Sequence, residues 1–260
     1  MAYNKRQHLA GNIAALEYIF MHPDFCLTEK GRQVLGKYSG FGGLKCILNP
    51  AEKDTDIARW TTDKELFPQI RLLHELLREY SKDEKEYKGY IQSLKNSVLT
   101  AFYTPESVAA AIQESLQAAG VVPQRFLEPS AGTGIFISRL KDVPEIHCFE
   151  KDKITGKILS FLYPDSKVNI GGFQTIPSHY NNYFDVVSSN IPFGDTSVYD
   201  RDFDKSSDPV RKSSLAAVHN YFFLKGMDTL REGGILAYIT TSGVMDSPRN
   251  RPVREWLVNH

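Results

Sequence analysis

Two hydrophobic patterns divide the chain near residue 100. Before that point apolar residues recur every three or four positions, which is the spacing of one buried face of an α-helix. The clearest series is Leu9, Ile13, Leu16 and Ile19. Further helices are predicted over residues 28–35, 63–80 and 87–99. We therefore predict a helical N-terminal domain over residues 1–100.

A glycine-rich segment, residues 38–44, interrupts this helical region and carries the aromatic residues Tyr38 and Phe41. Our first interpretation is a turn whose two rings fill the core. The alternative is a contact with the neighbouring domain or with nucleic acid.

After residue 100, short apolar runs alternate with helical segments. The runs, each interpreted as a strand, are 125–127, 146–149, 168–170, 184–189 and 234–240. Strands that alternate with helices favour a parallel sheet. We therefore predict an α/β fold over residues 101–260, with a doubly wound, mainly parallel Rossmann-like sheet. Residues 135–140 are expected to begin a helix, and the polar segment 194–214 is expected to be a mobile loop.

Composition excludes several classes of protein. Lys plus Arg and Asp plus Glu both number 31, so no overall basic charge indicates nucleic acid, although a local basic patch stays open. The three cysteines are far apart and no two of the seven histidines are three or four positions apart, so no metal site is predicted. Asn12 and Glu17 break the first apolar stretch, which is therefore not a signal peptide. No apolar run approaches a membrane span. We expect a soluble, cytoplasmic protein without membrane contact.

A glycine loop follows the first predicted strand of the sheet. Glu128 and Pro129 end that strand, and the Ser-Ala-Gly-Thr-Gly sequence of residues 130–134 turns the backbone. Gly132 and Gly134 lack a Cβ, so the backbone can approach a ligand closely. The loop is neither a dinucleotide fingerprint nor a P-loop, because the required third glycine and the lysine are missing. Alone it is consistent with an ordinary tight turn.

Three predicted strands end in polar residues that suit a ligand site. The first ends in Glu128 and the glycine loop, and the second ends in Glu150, 18 positions after Gly132. A carboxylate at that distance can accept hydrogen bonds from both hydroxyls of a ribose. The fourth strand is followed by Asn-Ile-Pro-Phe, residues 190–193. Since ligands of such sheets bind at the carboxyl ends of the strands, the three ends together predict one site.

These motifs resemble those of S-adenosylmethionine-dependent DNA adenine methyltransferases, which modify the exocyclic amine. The resemblance rests on Glu-Pro-Ser-Ala-Gly-Thr-Gly at 128–134, the acid Glu150, and Asn-Ile-Pro-Phe at 190–193. More closely, the chain is similar to the N-terminal part of large methylase–helicase proteins of phages and conjugative elements. That similarity also includes residues 38–44, 102–105, 190–195 and 219–223, and so extends over nearly the whole chain.

The resemblance implies S-adenosylmethionine as the cofactor. It places the glycine loop against the methionine part of the cofactor, and Glu128 at the polar end of that part. It places Glu150 against the ribose. Thr104 would contact the cofactor carboxylate, and Phe173 would lie against the cofactor's adenine. The implied cofactor-binding residues are Tyr103, Thr104, Glu128, Pro129, Ala131, Gly132, Thr133, Gly134, Glu150 and Phe173.

The resemblance also implies a catalytic role for Asn190, Ile191, Pro192 and Phe193. The side-chain oxygen of Asn190 and the carbonyl of Ile191 would each accept a hydrogen bond from one N–H of the target amine. This frees the lone pair of the amine for methyl transfer. The adenine must be flipped out of duplex DNA to reach them, and Phe193 would stack on it. Ile191 stands where the motif usually has a first proline.

Two other functions stay open at this point. One is methylation of a protein glutamine or an RNA guanine by the same chemistry. The other is a catalytically weak or inactive module that binds cofactor or DNA for a helicase. We also expect a fragment of a longer protein, with the sheet truncated before its last strands and with helicase and target-recognition regions elsewhere.

Overall fold

A computed structural model describes residues 4–23, 27–100, 104–192, 194 and 196–260. The helices are α1 (Lys5–Met21), α2 (Glu29–Leu35), α3 (Phe67–Glu79), α4 (Glu84–Thr100), α5 (Glu106–Ala118), α6 (Lys153–Leu162), α7 (Arg201–Asp204), α8 (Pro209–Ser214), α9 (Val218–Thr229), α10 (Gly243–Asp246) and α11 (Arg251–Asn259). The strands are β1 (Arg125–Glu128), β2 (Glu145–Glu150), β3 (Lys167–Ile170), β4 (Phe184–Asn190) and β5 (Leu230–Ile239).

The chain forms two compact units. One is helical and comprises the described residues of Met1–Tyr103 together with Asp152–Pro164. The other carries the sheet and comprises Thr104–Lys151 and Asp165–His260. Helix α6 therefore belongs to the helical unit, although it connects β2 to β3 along the chain. The division into domains at residue 100 stays a prediction.

The helical unit has an apolar core, as its apolar spacing predicted. Leu9 and Leu16 of α1, Ile70 of α3, Leu94 of α4 and Ile158 of α6 are at most 1% exposed. Burial of each such side chain contributes about 1.5–3 kcal/mol. The amphipathic stripes of these helices are therefore what holds this unit together.

The glycine-rich segment 38–44 is a turn whose two rings fill this core. Tyr38 is 4% exposed and Phe41 is fully buried. The buried Asn12 side chain donates to the Gly40 carbonyl (2.5 Å) and accepts from the Ser39 N–H (3.0 Å). Gly40 has a φ of +67°, a conformation that glycine adopts without strain. The first interpretation of this segment is confirmed.

The second unit is built on five parallel strands in the order β3-β2-β1-β4-β5. The chain winds outward from β1 to β3 and then crosses to the other side of β1 with β4. The predicted Rossmann-like parallel sheet is confirmed. Ligands of such sheets bind where this reversal opens a crevice at the carboxyl ends of the strands. We call that end of the sheet the carboxyl edge; the strand order predicts the crevice between the ends of β1 and β4.

The sheet has a buried core on both faces. Phe126 and Val186 belong to one apolar cluster, and their neighbours Leu127 and Val187 belong to the other. All four side chains are at most 1% exposed. Alternation of side chains along each strand accounts for this division, because successive residues point to opposite faces.

The predicted helix over residues 135–140 is wrong. Only a short 3-10 turn, Ile137–Arg139, forms there. Asp142 has a φ of +53°, which is not helical. Val143 precedes Pro144, and a residue before proline is disfavoured in the helical region. The glycine loop is therefore followed by a tight turn and not by a regular helix.

The prediction of a mobile loop over residues 194–214 is also wrong for the described part of that segment. It contains α7 and α8, and the side chain of Phe203 is 2% exposed. Asp200 caps α7 by accepting from the N–H groups of Asp202 (2.8 Å) and Phe203 (3.2 Å). The polar composition of the segment gave no indication of these caps or of the burial of Phe203.

None of the helices in the described parts of the chain is both long enough and apolar enough to cross a membrane.

A cluster of polar side chains surrounds Glu145 at the start of β2. Its carboxylate accepts hydrogen bonds from His147 Nε2 (2.8 Å), Lys167 Nζ (2.5 Å) and Tyr183 Oη (2.7 Å). These hydrogen bonds, that from His147 foremost, lower the pKa of Glu145 to about 2. A carboxyl whose folded pKa is depressed stabilises the fold above its unfolded pKa, and this contribution is lost as the pH falls through the folded pKa.

We therefore expect the free energy of unfolding to fall as the pH decreases from about 4.5 to about 2, with Glu145 as one cause. In Glu145→Gln this part of the pH dependence should flatten, which urea unfolding at several pH values measures. The exposed Glu232→Gln serves as the control and should keep the wild-type pH dependence. Equal slopes in wild type and Glu145→Gln would contradict the assignment.

Candidate active site

The glycine loop turns sharply at the end of β1. Gly132 and Gly134 have φ angles of +55° and +82°, which L side chains rarely adopt. The Gly134 N–H donates to the Ala131 carbonyl at 2.8 Å, which closes the turn. The two glycines are thus required by the backbone conformation of the loop itself.

Hydrogen bonds tie this loop to the strands on both sides of β1. The Ala131 N–H donates to the Phe149 carbonyl of β2 at 2.9 Å. On the other side, the hydroxyl of Ser189 in β4 donates to the Ser130 carbonyl at 3.1 Å. The loop therefore has a fixed position between the ends of β2 and β4.

Glu150 at the end of β2 holds the loop through its side chain. Its Oε2 accepts a hydrogen bond from the Gly132 N–H at 2.8 Å. In the sheet register Glu128 pairs with Cys148, two residues before Glu150. Because side chains alternate along a strand, Glu128 and Glu150 point to the same face of the sheet. The two predicted acids are thus brought together.

Glu128 is a buried carboxyl beside a second one. Its side chain is 1% exposed, and its Oε2 makes no hydrogen bond with any described residue. Burial, and secondarily the charge of Glu150, raise the pKa of Glu128 well above its ordinary value. A buried carboxyl without a partner costs free energy unless a cation or donor meets it. This end of the site therefore suits a ligand with a cationic group.

Asn190 ends β4 on the same face of the sheet. Phe126 pairs with Val186 in the register, so Glu128 and Asn190 both continue the face that these two residues occupy. Asn190 Oδ1 is buried and accepts no hydrogen bond from the described residues. Leaving a buried acceptor unpaired costs about 1–3 kcal/mol. A polar ligand that donates N–H groups would remove this penalty.

Ile191 is anchored through its side chain and its backbone. The side chain is fully buried, and the N–H donates to the Ile239 carbonyl of β5 at 3.2 Å. Proline has no N–H and could not form this bond. The bond extends the contact of β4 with β5 by one residue beyond the Asn190–Ile239 pair. It fastens the backbone that carries the predicted catalytic motif.

Phe173 lies in the core of the sheet unit. It is 1% exposed, and its ring centroid is 5.9 Å from that of Phe149, 5.3 Å from Phe222 and 6.5 Å from Tyr221. These contacts give Phe173 a packing role. They lend no support to the predicted contact with the cofactor's adenine.

The remaining predicted site residues that the structure describes are buried or half-buried. Pro129 and Ala131 are buried, and Ser130 and Thr133 are half-buried in the loop. Thr104 and Pro192 are half-buried. Tyr103 and Phe193 lie outside the described residues. No group of three or more His, Cys, Asp or Glu side chains in the described ranges could hold a metal ion.

Two hydroxyls at the carboxyl edge were missed from the sequence. Ser189 links β4 to the glycine loop, as described above. Just after β5, the Oγ1 of Thr240 is buried and has no hydrogen-bond partner among the described residues. The signal for Ser189 was present, since Ser188 and Ser189 follow two valines in the strand and immediately precede Asn190. For Thr240 we find no comparable signal.

Comparison with known proteins gives a family match. Residues 138–260 match the family described as Eco57I restriction-modification methylase. "Defense against restriction protein B" of Escherichia phage P1 is 27% identical over 160 residues, which are 60% of this chain. That match spans only 7% of the length of the phage protein.

Solved structures agree in fold. One is a protein from Listeria monocytogenes described as a putative class I S-adenosylmethionine-dependent methyltransferase. Its TM-score is 0.52 at 13% sequence identity, and the match covers 96% of this chain and 79% of the Listeria chain. The type I restriction-modification methyltransferase subunit from Streptococcus thermophilus has a TM-score of 0.51 at 12% identity, covering 97% and 72%. At such identities the likeness shows the fold alone.

The resemblance inferred from the motifs is confirmed by these comparisons. The C-terminal part of the chain matches a methylase family of restriction-modification systems, and the chain has the Rossmann-like fold of S-adenosylmethionine-dependent methyltransferases.

Proposed function

We propose that this chain is a DNA adenine methyltransferase domain, which transfers a methyl group from S-adenosylmethionine to the exocyclic amine of adenine. The observation that carries the proposal is the Oδ1 of Asn190, which is buried at the carboxyl edge without a partner among the described residues, one residue after Ser189, which bonds to the glycine loop. The family match of residues 138–260 supports the same reaction class.

The cofactor fits the residues around the glycine loop. S-adenosylmethionine, when bound, supplies a methyl group on a sulfonium, which is already a good leaving group. Its ammonium matches the unpaired Oε2 of the buried Glu128. The close backbone approach of Gly132 and Gly134 suits the methionine part. Glu150 would hold the ribose hydroxyls, while its bond to the Gly132 N–H keeps the loop in place.

Asn190 would act on the target amine as a hydrogen-bond acceptor. The lone pair of that amine is delocalised into the adenine ring, which makes the nitrogen a weak nucleophile. The Oδ1 of Asn190 and the carbonyl of Ile191 would each accept a hydrogen bond from one of its N–H groups and so favour a tetrahedral nitrogen. Acceptors that are already in place stabilise the positive charge that develops there.

Ile191 supports this role through its backbone. The hydrogen bond from the Ile191 N–H to the Ile239 carbonyl restrains the backbone of the motif. A proline at this position would restrain the backbone through the proline ring instead. The acceptors of the motif are therefore held, and the departure from the usual proline does not argue for an inactive domain.

The substrate would be an adenine flipped out of duplex DNA, because a stacked base cannot reach a pocket at a sheet edge. Stacking of Phe193 on that base belongs to the proposal. An attached helicase and a target-recognition region in a longer protein are proposed from the methylase–helicase resemblance.

The catalytic assignment predicts that Asn190→Ala loses at least about 10²-fold in methyl transfer, because an acceptor for the developing charge is removed. Its affinity for S-adenosylmethionine should stay within about twofold of wild type. Transfer of a labelled methyl group to duplex DNA, to RNA and to a glutamine-containing protein measures activity. Wild-type transfer to RNA or protein alone would overturn the DNA assignment, and equal activity of the variant would overturn the role of Asn190.

The cofactor assignment predicts that Glu150→Ala weakens binding of S-adenosylmethionine about tenfold or more. Hydrogen bonds to a charged group contribute roughly 1.5–3 kcal/mol, and about 1.4 kcal/mol is a factor of ten. Isothermal titration calorimetry measures the affinity. Glu232→Ala, at the amino end of β5, is the matched control and should bind like wild type. Unchanged affinity in Glu150→Ala would remove the assignment.

The backbone restraint predicts that two substitutions at one position are both tolerated. Ile191→Val keeps the N–H and should keep most of the transfer rate. Ile191→Pro loses the bond to Ile239 but fixes the backbone through its ring, so it should also keep most of the transfer rate, with cofactor affinity retained. Transfer rates and calorimetric affinities of both variants check this. A proline variant that is much slower than the valine variant would show that the ring does not replace the bond.

A further inference from the structure

One exposed side chain at the carboxyl edge is held in an unusual way. Tyr199 is 74% exposed and is the single exposed aromatic side chain among the residues that the structure describes. An isolated exposed apolar residue is ordinary on a protein surface. What distinguishes Tyr199 is that the backbone on both of its sides is fixed.

The two neighbours of Tyr199 are anchored by different contacts. Before it, the Val198 N–H donates to the Leu215 carbonyl at 2.9 Å. After it, Asp200 is 5% exposed, accepts from the Tyr221 hydroxyl at 2.7 Å and lies 3.3 Å from Lys225 Nζ. The ring of Tyr199 is therefore presented to solvent on a backbone that is already ordered. A preorganised side chain loses less entropy on binding.

The topology places Tyr199 at the same edge as Asn190. Helix α9 connects the end of β4 to the start of β5, and these strands are parallel. The helix must therefore begin at the carboxyl edge, and Tyr221 lies in its first turn. Leu215, whose carbonyl accepts the Val198 N–H, precedes the start of α9 by three residues. Asp200 bonds to Tyr221 in that first turn. These partners place Tyr199 towards the end of the sheet at which α9 begins.

Met245 repeats this arrangement after β5. It is 69% exposed, whereas the preceding Val244 is 1% exposed. Arg254 Nη1 donates to the carbonyls of Val244 and Ser247, each at 2.9 Å. The side chain of Asn250 donates to the Gly243 carbonyl at 2.7 Å. Two apolar side chains on fixed backbones thus stand at the edge that carries the candidate site.

The charges beside Tyr199 do not favour phosphate as its partner. The exposed Arg201 and Lys205 are matched by the exposed Asp202 and Asp204. This local balance gives no net attraction for the DNA backbone. An aromatic ring and a thioether side chain instead match the apolar faces of nucleobases.

We propose that Tyr199 and Met245 contact nucleobases of the DNA duplex from which the target adenine is extruded. The inference rests on the proposed function. Extrusion leaves two unstacked base faces in the duplex. Tyr199 stacks on an exposed face, and Met245 packs against a base of the same duplex as an apolar contact. The contact stabilises the opened duplex and is independent of sequence.

The test compares DNA affinity of the full chain and its variants on two duplexes. One duplex is intact, and the other carries an abasic analogue at the target position, so that its neighbours are already unstacked. Tyr199→Ala should weaken binding to the abasic duplex about tenfold, and Tyr199→Phe should bind like wild type. Met245→Ala should show a smaller loss. Val122→Ala is the matched control, since Val122 is also 74% exposed but precedes β1, at the opposite edge.

Two further readouts separate stacking from charge and from misfolding. The slope of log affinity against log salt should be the same for Tyr199→Ala and wild type, because no phosphate contact is removed. Calorimetric affinity for S-adenosylmethionine should also be unchanged. Tyr199→Ala binding within twofold of wild type, or an equal loss in Val122→Ala, would overturn the inference.

This outcome is distinct from failure of the proposed function. Methyl transfer to DNA by the wild type with full DNA affinity in Tyr199→Ala would retain the enzyme assignment and reject the stacking role. Wild-type methyl transfer to RNA or protein alone would reject the DNA assignment, whatever the DNA affinities. A wild-type chain that binds neither duplex would overturn the stacking role.

Discussion

The hydrogen bond from the Gly132 N–H to the Glu150 carboxylate is the contact on which the site depends. It joins the loop after β1 to the end of β2, at 2.8 Å. The loop has no regular helix behind it to hold its shape, since only a 3-10 turn follows. Bonds to the neighbouring strands therefore replace that support. The same bond holds a second carboxylate near Glu128, whose pKa is raised first by burial and secondarily by the charge of Glu150.

The carboxyl edge combines fixed backbone with unpaired polar side chains. Ile191 is held by β5, and Ser189 is held by the glycine loop. Between them, the Oδ1 of Asn190 is buried and accepts no hydrogen bond within the described part of the chain. A domain that served only as packing would gain stability by satisfying this acceptor. The arrangement is the one expected of a site that forms its hydrogen bonds with a substrate, and we interpret it so.

The segment after the motif is an ordered part of the same edge. Asp200 caps α7, and it joins this helix to α9 through the Tyr221 hydroxyl and the ammonium of Lys225. Both Asp200 and Lys225 are nearly fully buried. Such a buried ionic group is costly unless every partner is in place, which specifies one arrangement of the segment. The backbone that carries the exposed Tyr199 therefore has a definite position.

The sequence by itself determined the helical stripes, the alternation of strands and helices, and the polar residues that end β1, β2 and β4. These features depend on local periodicity and on residue type at a strand end. Tertiary structure decided the membership of α6 in the helical unit, the burial of Phe173, the order of residues 196–214 and the backbone anchor of Ile191. Each depends on a contact between residues far apart in the chain, as from Asp200 to Tyr221 or from Ile191 to Ile239. Local patterns cannot encode such pairings, because the partner is chosen only when the strands and helices pack.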